Sequence, residues 1–127
     1  MELHNIKNIA FANPGATSQE LTLLKNTFGS DVPTELEALL SRANGLGLQN
    51  GIVIYACHEV AERNATYQVD KYIPGFIAIG DDSGGRAILL SQFQPQVFLA
   101  DYGSLDVDEI QAIANTLREW VEGGCPL

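Results

Sequence analysis

The stretch FIAIGDDSGGRAILL, residues 76–90, decides what kind of molecule this is. Two apolar runs, Phe76 to Ile79 and Ala87 to Leu90, flank a polar centre that holds Asp81, Asp82, Ser83, Gly84, Gly85 and Arg86. Carboxylates, a hydroxyl, glycines and an arginine so close together raise the question of a catalytic, phosphate-binding or metal-binding loop. A phosphate-binding P-loop needs Gly-Lys-Ser/Thr at a helix start, and a dinucleotide loop needs three spaced glycines there. Ser83-Gly84-Gly85 instead leads into an apolar strand pattern, and paired aspartates would repel a phosphate. The alternating acidic ligands and distant glutamate of an EF-hand are missing as well. A hairpin accounts for the same residues more simply. A loop of about five residues needs positive φ somewhere, which Gly84 and Gly85 supply, while Asp81 or Asp82 bonds the loop's own amides.

Outward from this hairpin, Val97 to Ala100 is a further short apolar run, and Ile52 to Tyr55 is a β-branched and aromatic run bounded by glycine. Turn residues separate these runs in the manner of a meander of antiparallel strands. Gly45 to Gly51, with three glycines and an Asn-Gly, is predicted to be a loop. His58 to Tyr67 fits a short helix with Val60 and Ala61 facing in and Glu59, Glu62 and Arg63 facing out, weakened by Asn64 and Thr66.

The remaining elements read as helices. Thr17 and Glu20 form a capping box ahead of Leu21, Leu24 and Phe28, with Gly29 as the stop. A second helix opens near Pro33, in whose first turn a missing N–H costs nothing. It presents Leu36, Leu39, Leu40 and Ala43 as one stripe and ends at Asn44-Gly45. Near the C-terminus, Asp106 and Glu109 read as a capping box and Leu105 and Ile110 as a hydrophobic staple. Ile110, Ile113, Ala114, Leu117, Trp120 and Val121 follow as one helical face, closed by Gly123-Gly124. Trp120 is expected to anchor the core. The order predicts an α+β domain spanning residues 1–127. Its expected parts are N-terminal helices, a mainly antiparallel sheet of about four to six strands and a C-terminal amphipathic helix, with the helices on one face of the sheet.

Composition narrows the function classes. The chain is 46% hydrophobic and 18% charged, has no apolar run near the roughly 18–20 residues of a membrane span, and opens without a secretory pattern, so a cytoplasmic location is expected. Its two cysteines, Cys57 and Cys125, are expected to be free thiols. The net charge is −9; residues 51–127 hold eleven acids against four bases, while residues 1–50 hold five against three. Such acidity opposes direct nucleic-acid or membrane binding and would draw in a basic protein partner. The only histidines are His4 and His58. On a strand, Cys57 and His58 would point to opposite faces and share no proton, and the cysteines and histidines lack zinc-ligand spacing. An enzyme, a metal site and a cofactor are therefore not expected.

Several of these features recur together in one family. Val32-Pro33 with Glu35-Leu36, Leu39-Leu40 and Asn44-Gly45 are followed by Ile54-Tyr55, Glu59, Tyr67 and Pro74. Ile79-Gly80-Asp81-Asp82-Ser83-Gly84-Gly85 and Val97 to Leu99 with Asp101 complete the pattern. In order and spacing, from about residue 17 to 121, the chain resembles the SUKH superfamily of Smi/Knr-type proteins. The resemblance implies an α+β fold without catalytic residues, with Gly80, Gly84 and Gly85 in the family's glycine turn. Ser83 and the doubled aspartate depart from the more glycine-rich version of that turn. Many bacterial members of that family are immunity proteins that bind and neutralise toxins, often nucleases, and fungal relatives act as regulatory scaffolds.

The leading expectation is accordingly a cytosolic immunity protein whose protein partner is a basic toxin domain. The competing expectations are a regulatory or scaffold module and, behind it, a small-ligand or calcium-binding domain. Candidate partner-binding residues are acids and aromatics in loops, with the hairpin arginine: Glu59, Glu62, Asp81, Asp82, Arg86, Asp101 and Tyr102.

Overall fold

A computed structural model describes residues 1–29 and 32–127. Seven strands lie side by side in chain order, each antiparallel to the next: β1 (Ile9–Ala12), β2 (Leu46–Leu48), β3 (Val53–Ile54), β4 (Phe76–Asp81), β5 (Arg86–Ser91), β6 (Val97–Asp101) and β7 (Gln111–Ala114). The helices are α1 (Ser18–Phe28), α2 (Thr34–Arg42), α3 (Cys57–Thr66), the single turn α4 (Val69–Tyr72) and α5 (Leu117–Glu122). The α+β class and the meander are as expected, but the sheet has seven strands where about four to six were expected.

Alternation along the central strands builds two cores. Ile77, Ile79, Ile88, Leu90, Val97 and Leu99 point to the face covered by Leu24 of α1, Leu36, Leu39 and Leu40 of α2, and Leu117, Trp120 and Val121 of α5. The intervening Ala78, Ala87, Leu89, Phe98 and Ala100 point the other way, under Val69 and Ile73 with Tyr102, Leu105 and Ile110 alongside. Helices on one face was therefore half the answer. The second face is closed by α4 and the segment after β6, which is why β5 reads as nearly continuous apolar sequence.

The helix starts follow local chemistry. Thr17 Oγ1 accepts from Glu20 N at 3.1 Å while Glu20 Oε1 accepts from Thr17 N at 2.9 Å. Asn44, buried at the end of α2, donates to Glu20 Oε2 at 2.8 Å and accepts from Cys57 N at 2.7 Å, so one amide ties together the starts of α1 and α3. Pro33 is the residue before α2 rather than one within its first turn.

Three expectations need correction. The Gly45–Gly51 loop contains β2, because Leu46 and Leu48 are buried and the strand pairs with both β1 and β3. β1 was not anticipated; Phe11 lies across Gly47, where a side chain would collide with its ring. The long C-terminal helix is the largest miss. Asp106 caps only Asp108 N, at 2.9 Å, in a 3-10 turn over Val107–Glu109; the chain then extends as β7 along β6. The helix begins only at Leu117, capped by Thr116. Ile110, Ile113 and Ala114 fit a helical face in isolation, but the open edge of β6 offers backbone partners that a helix would leave unpaired.

Candidate functional site

The hairpin between β4 and β5 is a network of aspartate-to-backbone bonds. Asp81 Oδ1 accepts from Ser83 N at 2.8 Å; Asp82 Oδ1 accepts from Gly84 N at 2.8 Å and Arg86 N at 3.0 Å. Arg86 Nε donates to Asp82 Oδ2 at 2.6 Å. Burial alone would raise the Asp82 carboxyl, but the bonds from Arg86 and Gly84 outweigh it and hold it below its ordinary value. Gly85 has φ 94°, as the turn requires, but the second positive-φ residue is Ser83, at 63°, and not Gly84. Ser83 Oγ compensates by donating to Gly51 O at 2.6 Å, which pins the tip to the turn between β2 and β3. Gly80 answers a different demand: a Cβ there would collide with Val53 O. The loop is an architectural turn whose carboxylates are already engaged.

At the same end of the sheet the four tyrosines of the chain converge. Tyr55, following β3, donates to Asp81 Oδ2 at 2.7 Å, and its hydroxyl lies 3.0 Å from that of Tyr102, at the end of β6. Tyr102 stacks on Tyr67, with ring centroids 4.1 Å apart and planes 27° from parallel. Glu59 and Arg63 of α3 and its C-cap Tyr67 recur every four residues and so share one face. Arg63 sits 5.5 Å above the Tyr55 ring, with Glu59 Oε2 3.9 Å from its guanidinium. Tyr67, Tyr72 and Tyr102 with Gly103, Ser104 and Leu105 line a cleft of about 300 Å³. Burial first, then the bonds to Tyr102 and Asp81, push the Tyr55 hydroxyl far above its ordinary pKa. Burial raises Tyr102 to about 12, although the Tyr55 bond opposes it. Both hydroxyls therefore stay protonated and act as fixed hydrogen-bonding groups.

The structure brings Glu59, Asp81, Asp101 and Tyr102 to this region and leaves Glu62 exposed elsewhere on α3. Several of these acids have backbone duties: Glu59 Oε1 accepts from Ala56 N at 3.2 Å, and Asp101 Oδ1 from Gly103 N at 2.7 Å. Tyr55, Arg63, Tyr67 and Tyr72 were not anticipated as site residues. The signal available was the four-residue spacing of Glu59, Arg63 and Tyr67, masked by a reading of α3 as a helix with a plain polar face.

Other chemistry does not assemble. Cys57 and His58 occupy the first turn of α3, not a strand; the thiol is buried and the imidazole exposed. Burial, then the charge of Glu20, raises the Cys57 thiol. Cys125 is also a buried free thiol. Among the described residues, no three His, Cys, Asp or Glu side chains gather as a metal site, and no helix is long and apolar enough to cross a membrane.

A family model described as SMI1 / KNR4 family (SUKH-1) matches residues 15–123. The chain belongs to the SMI1/KNR4 (SUKH-1) family. The match spans α1 through α5 and includes all four tyrosines of the cluster. SUKH-1 membership supports a role in protein interaction, in a family that is generally non-catalytic. No curated protein matches the chain.

Proposed function

We propose that this protein is an immunity-type inhibitor, a cytoplasmic single domain over residues 1–127 that neutralises a bacterial toxin by binding it, without itself catalysing a reaction. The carrying observation is the tyrosine cluster, with Tyr67 and Tyr72 exposed and Tyr55 buried, gathered with Asp81, Asp101 and Glu59 at one end of the sheet. Tyrosine supplies large, rigid, amphipathic contact area and is enriched where proteins meet. The acidic excess, −9 over the chain, supports a basic partner such as a nuclease, because opposite charge speeds encounter and selects partners. Nucleic acid and membrane surfaces, both anionic, are not its targets.

Co-expression with the product of the neighbouring gene tests this. The expected outcome is a complex that survives gel filtration and a toxic activity abolished at equimolar ratio. A neighbouring product that neither binds nor is inhibited would overturn the assignment.

A further inference from the structure

We infer that the cleft between Tyr67, Tyr72 and Tyr102 is a receptor for one arginine side chain presented by a protein partner. This rests on the reading of this end of the sheet as the partner-binding surface. At about 300 Å³ the cleft lies at the small end of ligand sites, room for a side chain rather than for a nucleotide or a cofactor. Its walls are aromatic: Tyr67 is 38% and Tyr72 52% exposed, large exposures for aromatic residues of a domain with two well-filled cores. Its floor is thin, because Gly103 carries no side chain, and Ser104 adds a hydroxyl.

Charge selects a cation. Around the cleft Asp81, Asp101 and Glu59 set three carboxylates against two cations, the guanidinium of Arg63 and the ammonium of Lys71. Asp101 is exposed, directly precedes the lining residue Tyr102 and spends Oδ1 on the N–H of the lining residue Gly103. Arg63 is already engaged outside the cleft lining: it stands over the Tyr55 ring, with Glu59 Oε2 3.9 Å from its guanidinium. It also shows a guanidinium already standing over a tyrosine ring on this surface, with a carboxylate 3.9 Å away. The flat Tyr67–Tyr102 stack offers the same arrangement to an incoming group. Arginine suits it better than lysine, because guanidinium is planar, weakly hydrated and carries a fork of donors, whereas an ammonium is a strongly hydrated point charge. On Tyr72, Lys71 Nζ already stands 5.3 Å from the ring centre, so Tyr67, exposed and stacked on Tyr102, is the ring assigned to the incoming group.

The test needs no toxin. Since every tyrosine of the chain sits in this cluster, ring-labelled tyrosine NMR reads this site alone. Titration at low salt with the peptide acetyl-Gly-Arg-Gly-amide is expected to give saturable shifts of the Tyr67 and Tyr102 rings in the millimolar range. The lysine peptide should bind more weakly, and the neutral citrulline peptide should give no saturable shift. Asp101→Asn keeps the acceptor for Gly103 but removes the charge, and should weaken the arginine peptide about three- to fivefold, the worth of one exposed charge pair. Tyr67→Ala, checked for an unchanged melting temperature, should abolish saturation. Absence of saturable shifts, equal shifts from the citrulline peptide, or tighter binding of the lysine peptide would overturn the inference. Failure here with an intact toxin complex removes the arginine receptor alone. Peptide binding without any toxin partner removes the immunity assignment alone.

Discussion

Asn64 is the most informative single position for the stability of this fold. Strand β3 ends at Ile54 and the chain turns into α3, so the inner half of β4 has no strand on that side. Asn64 fills the gap. Its Oδ1 accepts from Ala78 N at 2.9 Å and its Nδ2 donates to Ala78 O at 2.8 Å, so the side-chain amide stands in for the missing peptide. Nδ2 also donates to Val60 O at 2.7 Å. Asn64→Ala leaves a buried N–H and a buried C=O unpaired, at about 1–3 kcal/mol each. Alanine's better helix propensity returns roughly half a kcal/mol. The net loss is expected at about 2–4 kcal/mol, a large fraction of a domain's typical stability of about 5–15 kcal/mol. For a chain of this size it corresponds to a melting temperature lower by roughly 8–15 °C. Urea unfolding, followed by circular dichroism and by Trp120 fluorescence, measures it. Asn64→Asp sharpens the test. A buried carboxylate repels Ala78 O, so this variant should be less stable than Asn64→Ala near pH 7. It should recover as the pH falls, because the protonated acid restores a donor. A loss below about 0.5 kcal/mol for Asn64→Ala, or equal stability of the two variants at neutral pH, would refute the bridging role.

Two further outcomes follow from the charged turn and the thiols. The Asp82 carboxyl is depressed in the folded state, so its contribution is complete above the ordinary carboxylate value of about 4 and is lost as pH falls through the lowered one. The stability gap between wild type and Asp82→Asn should therefore close on acidification, and a gap independent of pH, measured by thermal melts, would contradict the assignment. Cys57 and Cys125 are buried with raised pKa values, Cys125 to about 12, so a thiol reagent at pH 8 should label neither until the protein is unfolded in urea. Rapid labelling of the native protein would show the core to be more open than described.

What the sequence reveals and what it hides divide along one line: signals carried by neighbours in the chain are legible, and signals that depend on a distant strand are not. The capping box of Thr17 and Glu20, the stripe Leu36, Leu39, Leu40 and the hairpin around Asp82 are local, and each is present, though the hairpin puts one positive φ on Ser83 instead of Gly84. The segment 106–114 has an equally good local signal for a helix, yet becomes a 3-10 turn and a strand because β6 has an edge to be paired. Asn64 reads locally as a poor helix residue; its value appears only beside Ala78. The tyrosine cluster is hidden for the same reason. Its members come from a strand end, a helix cap, the single turn α4 and the end of β6, and only the order of the sheet brings them together.

This division changes how the acidic candidates must be probed. Exposed acids in loops suggest themselves as steering charges, and reversing them to lysine is the obvious experiment. Asp81, Asp82, Asp101 and Glu59 each commit an oxygen to a backbone N–H of their own turn. Lysine at any of them deletes an acceptor and adds a donor where donors already point inward, so lost binding would report a broken turn as readily as a lost charge. Asparagine or glutamine keeps the acceptor and removes only the charge, which separates the two effects. Glu62 is the one candidate acid on α3 outside this backbone bonding, exposed and away from the cleft, and it serves as the control. If binding depends on the cleft, Asp101→Asn weakens it while Glu62→Gln does not. If the acidic field acts only as a whole, the two substitutions weaken binding alike, and raising the salt abolishes the difference from wild type for both.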